Sequence, residues 1–268
     1  MLEWSKWGMN QSTTFGKEEI PLDEIIILAA EKSARLLKSE ESFIQIQGEF
    51  LPKSSSEYFY DQDGLLLRKD YYQKLPEYQD LKLMLIISYS WSIDASLEKI
   101  EVNNPDHTYS KSVLYTWSGR NIQSIISYSS GISADFQYDP DNRDLIRVNY
   151  SLDNGGYFNY GYRYRFGNKI EEIPYGGSTS NSSHGTFEYD DNINPHHLWG
   201  ITDEFLRYSS KNNEIRAEYT YSGGFPSFVP DTYNYTYDEE GYPVELIKTY
   251  KHYRTGEFGF REKIIYHY

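Results

Sequence analysis

The sequence predicts an all-β protein: an antiparallel meander of hairpins curled into a barrel-like or open curved sheet, with one short N-terminal helix. The first observation is a strand ending of the form aromatic–x–aromatic, which recurs along the chain and runs into a turn. The second is composition, because 28 Tyr and 13 Phe against only 3 Met favour a pleated, half-buried surface over helices. The third is spacing, since turn signals recur about every 10 to 15 residues from Ser42 onward.

The recurring ending has clear copies and one looser copy. Residues i and i+2 of a strand lie on one face, so each copy predicts half of a hairpin with two aromatic rings on the same side. An apolar stretch follows each copy, as expected for the returning strand. The copies are Tyr58–Gly64, Phe136–Asn142, Tyr235–Gly241 and, more loosely, Tyr115–Gly119.

The helix is predicted over about residues 21–38. Pro21 suits a first turn, and Asp23 and Glu24 lie where the helix dipole favours negative charge. Apolar residues form a stripe along the segment, and basic residues favour its C-terminal end. We therefore divide the chain into an N-terminal extension, residues 1–41, and a single antiparallel β domain, residues 42–268.

From Ser42 onward the sequence is typical of successive strands. Phe43–Gln47 alternates apolar and polar residues, and Leu81–Trp91 predicts a longer strand of mixed pattern. Tyr157–Phe166 and the segment after it predict a hairpin closed at Gly167 and Asn168. No helical pattern interrupts the series, so we expect a meander, and curling it into a barrel limits its exposed edges.

Composition excludes several classes of function. The net charge is −14 and the pI about 4.9, so the basic footprint that nucleic acid or an anionic membrane surface requires is absent. The chain has no Cys, which excludes disulfides, thiolate metal sites and Cys nucleophiles. No apolar run in the sequence approaches the length of a membrane-spanning helix. Neutral polymers, proteins or cations are the partners compatible with this charge, and no cofactor is predicted.

Known catalytic and metal-binding patterns give little support for an enzyme. The Gly-x-Ser-x-Gly elbow, the His-Glu-x-x-His pattern and the phosphate-cradling glycine motifs are all absent from the sequence. The cluster of Asp190, Asp191, His196 and His197 beside Trp199 would suit a metal site or a sugar-binding edge. Adjacent His side chains on a strand point to opposite faces, however, and Asp-Asp-Asn and Asn-Pro are ordinary turn formers. We therefore predict no metal site and no catalytic residues.

Aromatic surface binding is the functional interpretation that the composition favours. Exposed Trp and Tyr faces stack on the apolar side of sugar rings, and several such residues lie near turns. The alternative is that these rings pack inside the sheet or barrel. The candidate ligand-binding residues are Trp91, Trp117, Trp199, Tyr221, Tyr233, His196 and His197.

Two segments carry a resemblance to a known family. The first is Phe187–Pro195, followed in order by Leu198–Gly200 and Ser210–Ile215, and the second is Tyr235–Pro243. Together they resemble an uncharacterised family of Bacteroidota cell-envelope lipoproteins, a domain of unknown function with a porin-like β fold. The tyrosine-aspartate turns are also similar to the tyrosine-aspartate repeats of large bacterial surface and toxin-carrier proteins.

The resemblance covers about residues 115–268 and implies a fold and a compartment, with no catalytic residues. Members of that family usually carry a signal peptide with a lipid-bearing Cys, and this sequence has no Cys. Any membrane attachment would therefore need a lipid anchor that this chain lacks. We expect the cell envelope or the extracellular space if an export signal has been removed, and the cytoplasm if Met1 is the native start.

Three functional hypotheses follow, in order of preference. The first is a non-enzymatic cell-envelope or surface module that binds a glycan or a protein partner. The second is a cytoplasmic interaction protein, such as an antidote whose acidic surface masks a basic toxin. The third is a glycoside hydrolase-like enzyme, which would need a carboxylate pair in a cleft with a raised pKa; the 40 acidic residues single out no such pair.

Overall fold

The computed structural model describes residues 35–118, 121–127, 131–139, 145–177, 182–196, 210–222 and 227–268. These residues contain strands and turns and no helix, which corrects the predicted N-terminal helix. Of that predicted segment, residues 21–34 lie outside the described residues, and residues 35–38 are extended. Lys38 shows the reason, because its N–H donates to the His267 carbonyl at 2.7 Å and its carbonyl accepts from the Tyr58 N–H at 2.9 Å. Its backbone is thus used for pairing on both sides, which a helix would forbid. Nor does the described part of the chain hold a helix long and apolar enough to cross a bilayer.

Leu36–Tyr268 forms one compact unit built from a single antiparallel sheet of 16 strands. The first half of the strands is β1 (Ser39–Ile46), β2 (Glu49–Tyr60), β3 (Leu66–Lys74), β4 (Leu81–Trp91), β5 (Leu97–Asn103), β6 (Ser110–Ser118), β7 (Asn121–Ser127) and β8 (Ile132–Tyr138). The second half is β9 (Leu145–Leu152), β10 (Tyr157–Arg165), β11 (Asn168–Gly177), β12 (Ser182–Ile193), β13 (Asn212–Ser222), β14 (Phe228–Tyr237), β15 (Pro243–His252) and β16 (Phe258–His267).

The sheet is a nearly closed barrel. Each strand pairs with its neighbour in sequence from β1 to β13 and from β14 to β16, and β1 also pairs with β16. The two edge strands, β13 and β14, lie next to each other, so the only break in the hydrogen-bonded ladder of the described strands is this seam. Closure in this way leaves few exposed strand edges, as the meander of hairpins requires.

The recurring aromatic–x–aromatic ending has one fixed register. The second ring of a pair lies opposite the first inward residue of the next strand, as Tyr60 does with Leu66. Tyr268 follows the last strand, and its hydroxyl donates to the Pro243 carbonyl at 3.1 Å. The first ring lies opposite the residue three positions later, as Tyr58 does with Lys69. The two rings are two residues apart on β2, but their partners Leu66 and Lys69 are three residues apart on β3. A bulge between Phe59 and Tyr60 accommodates the extra residue. The second rings, which we call the rim aromatics, include Tyr60, Trp91, Trp117, Tyr138, Tyr164, Tyr189, Tyr237 and Tyr268.

The first rings of these pairs, which we call the inner aromatics, form a second layer on the same buried face. Most of them lie opposite apolar residues, and Leu97, Ile100, Val113 and Val148 close the largest apolar cluster. The pairs are Tyr58–Lys69, Tyr89–Ile100, Tyr115–Ile125, Phe136–Val148, Tyr162–Glu172, Phe187–Ala217, Tyr235–Leu246 and Tyr266–Glu40. Charged residues thus replace apolar ones at a few positions of an otherwise apolar layer.

The turns after the rim aromatics share one hydrogen-bond pattern. In the first, the Asp61 N–H donates to the Leu65 carbonyl at 3.0 Å, and the Asp61 carboxylate accepts from the Leu65 N–H at 2.8 Å. Asp238 makes the same two bonds with Tyr242, both at 2.9 Å. This explains why an aspartate directly follows the tyrosine in both turns: its side chain satisfies backbone donors that the turn would leave unpaired.

Candidate functional site

Two of the predicted binding residues, Trp91 and Trp117, are rim aromatics whose polar atoms are engaged by the backbone. The Trp91 indole N–H donates to the Leu66 carbonyl at 2.8 Å, and that of Trp117 donates to the Leu97 carbonyl at 2.7 Å. Both rings are partly buried and pack against the apolar cluster. Each indole thus joins the end of its own strand to the start of the preceding strand, β4 to β3 for Trp91 and β6 to β5 for Trp117. A role for them in glycan binding stays a prediction.

The turn at Asp190 follows the same pattern but carries a long insertion. The Asp190 carboxylate accepts from the N–H of Asn192 at 3.0 Å and from that of Asn213 at 3.2 Å. In the turn at Asp61, the corresponding donors are only two and four residues beyond the aspartate. Tyr189 lies opposite Glu214 in the register of a rim aromatic. The segment between Asn192 and Asn213 is therefore inserted into a turn that the aspartate still closes.

Asparagine side chains fasten the base of this insertion. The Asn212 N–H donates to the Asn168 side-chain oxygen at 2.9 Å, and the Asn168 amide donates back to the Asn212 side-chain oxygen at 2.9 Å. The Asn213 amide donates to the Ile193 carbonyl at 3.0 Å, and the Asn194 amide to the Ser210 carbonyl at 2.9 Å. These bonds satisfy backbone groups that leave the sheet at this point, so the insertion begins from a defined position.

His196, shortly after β12, contacts residues of β1 and β16. Its Nε2 lies 3.6 Å from the Glu40 carboxylate on β1, and its ring meets the Tyr266 ring edge-on at 6.3 Å between centroids. The Asn194 side chain holds the backbone of His196 by accepting its N–H at 3.0 Å. Since β12 pairs with neither β1 nor β16, this contact joins strands that are not neighbours in the sheet.

Glu40 is ionised at the centre of this contact. Burial opposes the charge, but the Lys69 ammonium, 3.8 Å away, outweighs it together with His196, the Tyr58 hydroxyl and Lys248, so the pKa of Glu40 lies below its ordinary value. The pKa of His196 is lowered as well, chiefly by burial and further by the two lysines, while Glu40 works in the opposite direction. The pair is thus a carboxylate beside a neutral imidazole.

A second carboxylate, Glu262 on β16, lies on the same face. It accepts from the Lys53 ammonium at 2.7 Å, the Ser42 hydroxyl at 2.9 Å and the Tyr250 hydroxyl at 3.2 Å. Burial opposes its ionisation, yet Lys53 and the other donors hold the pKa of Glu262 below its ordinary value. We call this part of the buried face the polar sector, and its members are Glu40, Lys53, Tyr58, Lys69, His196, Tyr233, Lys248, Tyr250, Glu262 and Tyr266.

The polar sector remains in contact with solvent. The side chain of Glu40 is 19% exposed, that of Lys69 23% and that of His196 29%, although neighbouring Tyr58 and Leu246 are buried. Charged groups on an inward face keep such exposure only where water reaches them. Water therefore reaches the charged groups of the sector.

The other predicted binding residues are distributed as follows. Tyr233 belongs to the polar sector, and burial, followed by the charge of Glu214, raises the pKa of its hydroxyl. Tyr221 lies on β13 at the other end of the barrel wall, stacked on Tyr219 and edge-on to Tyr253 at 5.1 Å. The structure brings Tyr233 and His196 into one sector and leaves Tyr221 apart. His197 and Trp199 lie outside the described residues.

Sequence reasoning missed most of the polar sector. Glu40, Lys69 and Lys248 look like ordinary surface charges in the sequence, because nothing local shows which face of a strand they take. A signal exists in the register of the aromatic pairs, since a charge opposite an inner aromatic must point inward. Among the described residues, no group of three or more His, Asp or Glu is placed to hold a metal ion.

No family model and no curated protein matches the chain. In fold it is similar to a porin-like protein from Bacteroides uniformis, with a TM-score of 0.57 and 14% identity over 86% of this chain and 97% of that one. A porin-like protein from Bacteroides vulgatus aligns with a TM-score of 0.38 and 12% identity over 87% and 98%. The Tc holotoxin pore of Photorhabdus luminescens aligns with a TM-score of 0.34 and 14% identity over 77% and 9%. The similarity to the Bacteroides uniformis protein shows the porin-like fold, whereas membership of the lipoprotein family stays a prediction.

Proposed function

We propose that this protein is a non-enzymatic binding module of the cell envelope or cell surface, and that it binds a glycan at the polar sector. The observation that carries the proposal is the joint presence, on one solvent-accessible inward face, of tyrosine rings, tyrosine hydroxyls and charged groups. A sugar ring offers hydroxyls for hydrogen bonds and an apolar face for stacking. Tyrosine supplies a partner for both.

The electrostatics of the sector support binding without catalysis. A glycoside hydrolase needs one carboxyl group that stays protonated near neutral pH as a general acid. The pKa values of Glu40 and Glu262 are both lowered, because each is surrounded by ammonium groups or hydroxyl donors. Carboxylates that are ionised at neutral pH can orient sugar hydroxyls, but they do not supply the proton that cleavage requires at that pH.

The envelope location draws on the fold shared with a Bacteroides porin-like protein and on the resemblance of the Asn-Pro and Ser-Lys-Asn-Asn blocks to envelope lipoproteins. Cell fractionation separates this proposal from the alternative of a cytoplasmic toxin antidote. Recovery in the envelope fraction supports the binding module. Recovery in the cytoplasm together with a basic protein partner would favour the antidote.

A glycan array tests the binding itself. The full chain is screened against neutral and acidic oligosaccharides, beside Tyr233→Leu, in which the polar sector loses one ring and one hydroxyl. Tyr109→Leu is the matched control, because Tyr109 is an exposed residue of the loop between β5 and β6. We expect the signal to fall in the first variant and to persist in the second. An array without signals, or signals that Tyr233→Leu leaves unchanged, would contradict the proposal.

A further inference from the structure

The seam between β13 and β14 differs from every other strand interface of the described sheet. Neighbouring strands elsewhere are joined by a backbone ladder, and β1 is joined to β16 in the same way. Within the strands that the structure describes, no such ladder pairs β13 with β14, although the two strands lie side by side. Because the bonds of a ladder form and break together, an interface without a ladder opens at a lower free-energy cost than its neighbours.

Side chains hold this seam together at the rim. The Tyr237 hydroxyl, at the end of β14, donates to the Asp190 carboxylate on β12, and the Asn213 amide on β13 donates to the Tyr237 oxygen at 3.4 Å. Asp190 also accepts from the Asn213 N–H at 3.2 Å, so one carboxylate connects three strands. Burial, followed by the bond to Asp190, raises the pKa of the Tyr237 hydroxyl, which therefore stays a donor at neutral pH.

Tyr237 departs from the pattern of the other rim aromatics. Elsewhere a rim aromatic donates to a backbone carbonyl at or near the start of the preceding strand, as seen for Tyr60, Trp91, Trp117 and Tyr189. At the seam, this link to the backbone is replaced by a bond to a carboxylate side chain. A side chain can rotate to release its partner without unpairing the strand that carries it.

Farther along the seam, the contacts are again made by side chains. The Tyr233 hydroxyl on β14 donates to the Glu214 carboxylate on β13. Tyr221 on β13 meets Tyr253, in the turn after β15, edge-on at 5.1 Å between ring centroids. Contacts of this kind break one at a time, and none of them fixes one backbone against the other.

We propose that the seam is a lateral gate: β13 and β14 separate and rejoin while the ladders between the other strands stay intact, and the bond from Tyr237 to Asp190 is the clasp that keeps the gate closed. β14 moves together with β15 and β16, because ladders join these three strands. The inward rings of Tyr233 and Tyr235, which are partly buried in the closed barrel, then border an opening in the wall. The gate belongs to the free protein and does not depend on glycan binding.

The reaction of buried thiols tests the gate on the full chain, which contains no Cys of its own. Ala217 on β13 and Ala134 on β8 are both buried and inward, but only Ala217 lies on a strand of the seam. Each is replaced by cysteine in turn, and the rate of reaction with a maleimide is measured under native conditions. We expect Ala217→Cys to react about tenfold faster than Ala134→Cys or more, because its thiol is reached through the gate and does not require global unfolding.

The clasp is tested by removing one hydroxyl. Tyr237→Phe, added to Ala217→Cys, is expected to raise the labelling rate about tenfold, because the bond to a carboxylate is lost. Tyr60→Phe is the matched control, since it removes the corresponding hydroxyl from a rim aromatic away from the seam. The Tyr60 bond is intact whether the gate is open or closed. Tyr60→Phe should therefore lower the global stability and leave this labelling rate unchanged.

The urea dependence of labelling separates the gate from unfolding. Opening one seam exposes far less surface than global unfolding, so the rate for Ala217→Cys should rise little in sub-denaturing urea, whereas the rate for Ala134→Cys should rise steeply. This measurement does not require Tyr237→Phe to fold. Equal rates and equal urea slopes for the two thiols would overturn the gate. A labelling rate that Tyr237→Phe leaves unchanged, or that Tyr60→Phe raises as much, would overturn the clasp and with it the proposal. None of these results depends on the glycan array, so the gate and the proposed function fail separately.

Discussion

The hydroxyl of Tyr60 donates a hydrogen bond to the backbone carbonyl of Leu37 at 2.7 Å. Tyr60 ends β2, and Leu37 lies just before β1, so the bond joins the end of one strand to the start of the strand before it. Equivalent bonds run from Trp91 to Leu66, from Trp117 to Leu97 and from Tyr189 to Lys169. The rim aromatics therefore link successive hairpins at one end of the barrel.

Removing one of these bonds is expected to destabilise the barrel. Tyr60→Phe keeps the ring but leaves the carbonyl of Leu37, a residue that is 1% exposed, without its donor. We expect the free energy of unfolding to fall by about 1 to 2 kcal/mol, as measured by urea denaturation. Tyr109→Phe removes the same hydroxyl from an exposed loop and should change the stability little. Equal effects of the two substitutions would contradict a role for the rim bond.

The turn after β4 holds an alanine, Ala95, in a left-handed backbone conformation that suits glycine better. Ala95 has φ of 60°, at the position where the turns after β2 and β14 have Gly64 at 82° and Gly241 at 84°. Ala95→Gly is expected to raise the free energy of unfolding by about 1 kcal/mol, because glycine adopts this conformation without steric cost. The change is measured as a higher midpoint in thermal unfolding. The reverse change at Gly241 should lower stability by a similar amount. If Ala95→Gly is destabilising, then lost chain entropy outweighs the relieved strain.

Asp190 is expected to contribute more to stability than the equivalent aspartate of an ordinary turn. Both Asp190 and Asp238 accept from turn N–H groups, but Asp190 also accepts from the Tyr237 hydroxyl across the seam between β13 and β14. Asp238→Ala should cost about 1 kcal/mol, and Asp190→Ala about 2 kcal/mol or more, in urea denaturation. Glu239→Ala, in the same turn as Asp238, is a control that removes charge alone. Equal costs at the two aspartates would show that the bond across the seam adds nothing.

Stability is expected to decrease as the pH falls from about 7 to about 4. The lowered pKa of His196 means that its contribution is complete above the unfolded value of about 6.5 and is lost as the pH falls below it. The lowered pKa of Glu40 means that its contribution is present above about pH 4.3 and is lost as the pH falls through its folded value. Both groups therefore lower the free energy of unfolding as the pH falls. His196 faces Glu40, Lys69 and Lys248, and protonating it adds a third cation to this group.

His196→Gln separates the two contributions. This variant retains a hydrogen-bonding side chain but does not titrate, so its unfolding free energy should change less between pH 7.5 and pH 5.5 than that of the wild type. The loss below about pH 4.5, which belongs to Glu40, should remain. Parallel curves for the two proteins over the upper range would contradict the assignment to His196. Chemical denaturation at a series of pH values gives both curves.

Much of the sheet could be predicted from local sequence. The pair of rings at Tyr58 and Tyr60 and the aspartate after them fix a strand end and a turn, because both features act within a few residues. The segment up to Lys38 shows the opposite case. Its apolar and charged residues suit a helix in isolation, but Leu37 and Lys38 are held in an extended form by β2 and β16. Long-range pairing there overrides local propensity.

What the sequence determined by itself was the all-β class, the hairpin series and the turn chemistry, since these depend on a spacing of two residues and on turn formers. The tertiary structure alone decided which charges face inward. Glu40 and Lys248 are far apart in the chain, and they come near His196 only because β1 pairs with β16, β16 pairs with β15, and the chain just after β12 places His196 against β1. A binding site made from such contacts has no local pattern, because its members are neighbours in space only after the barrel has closed.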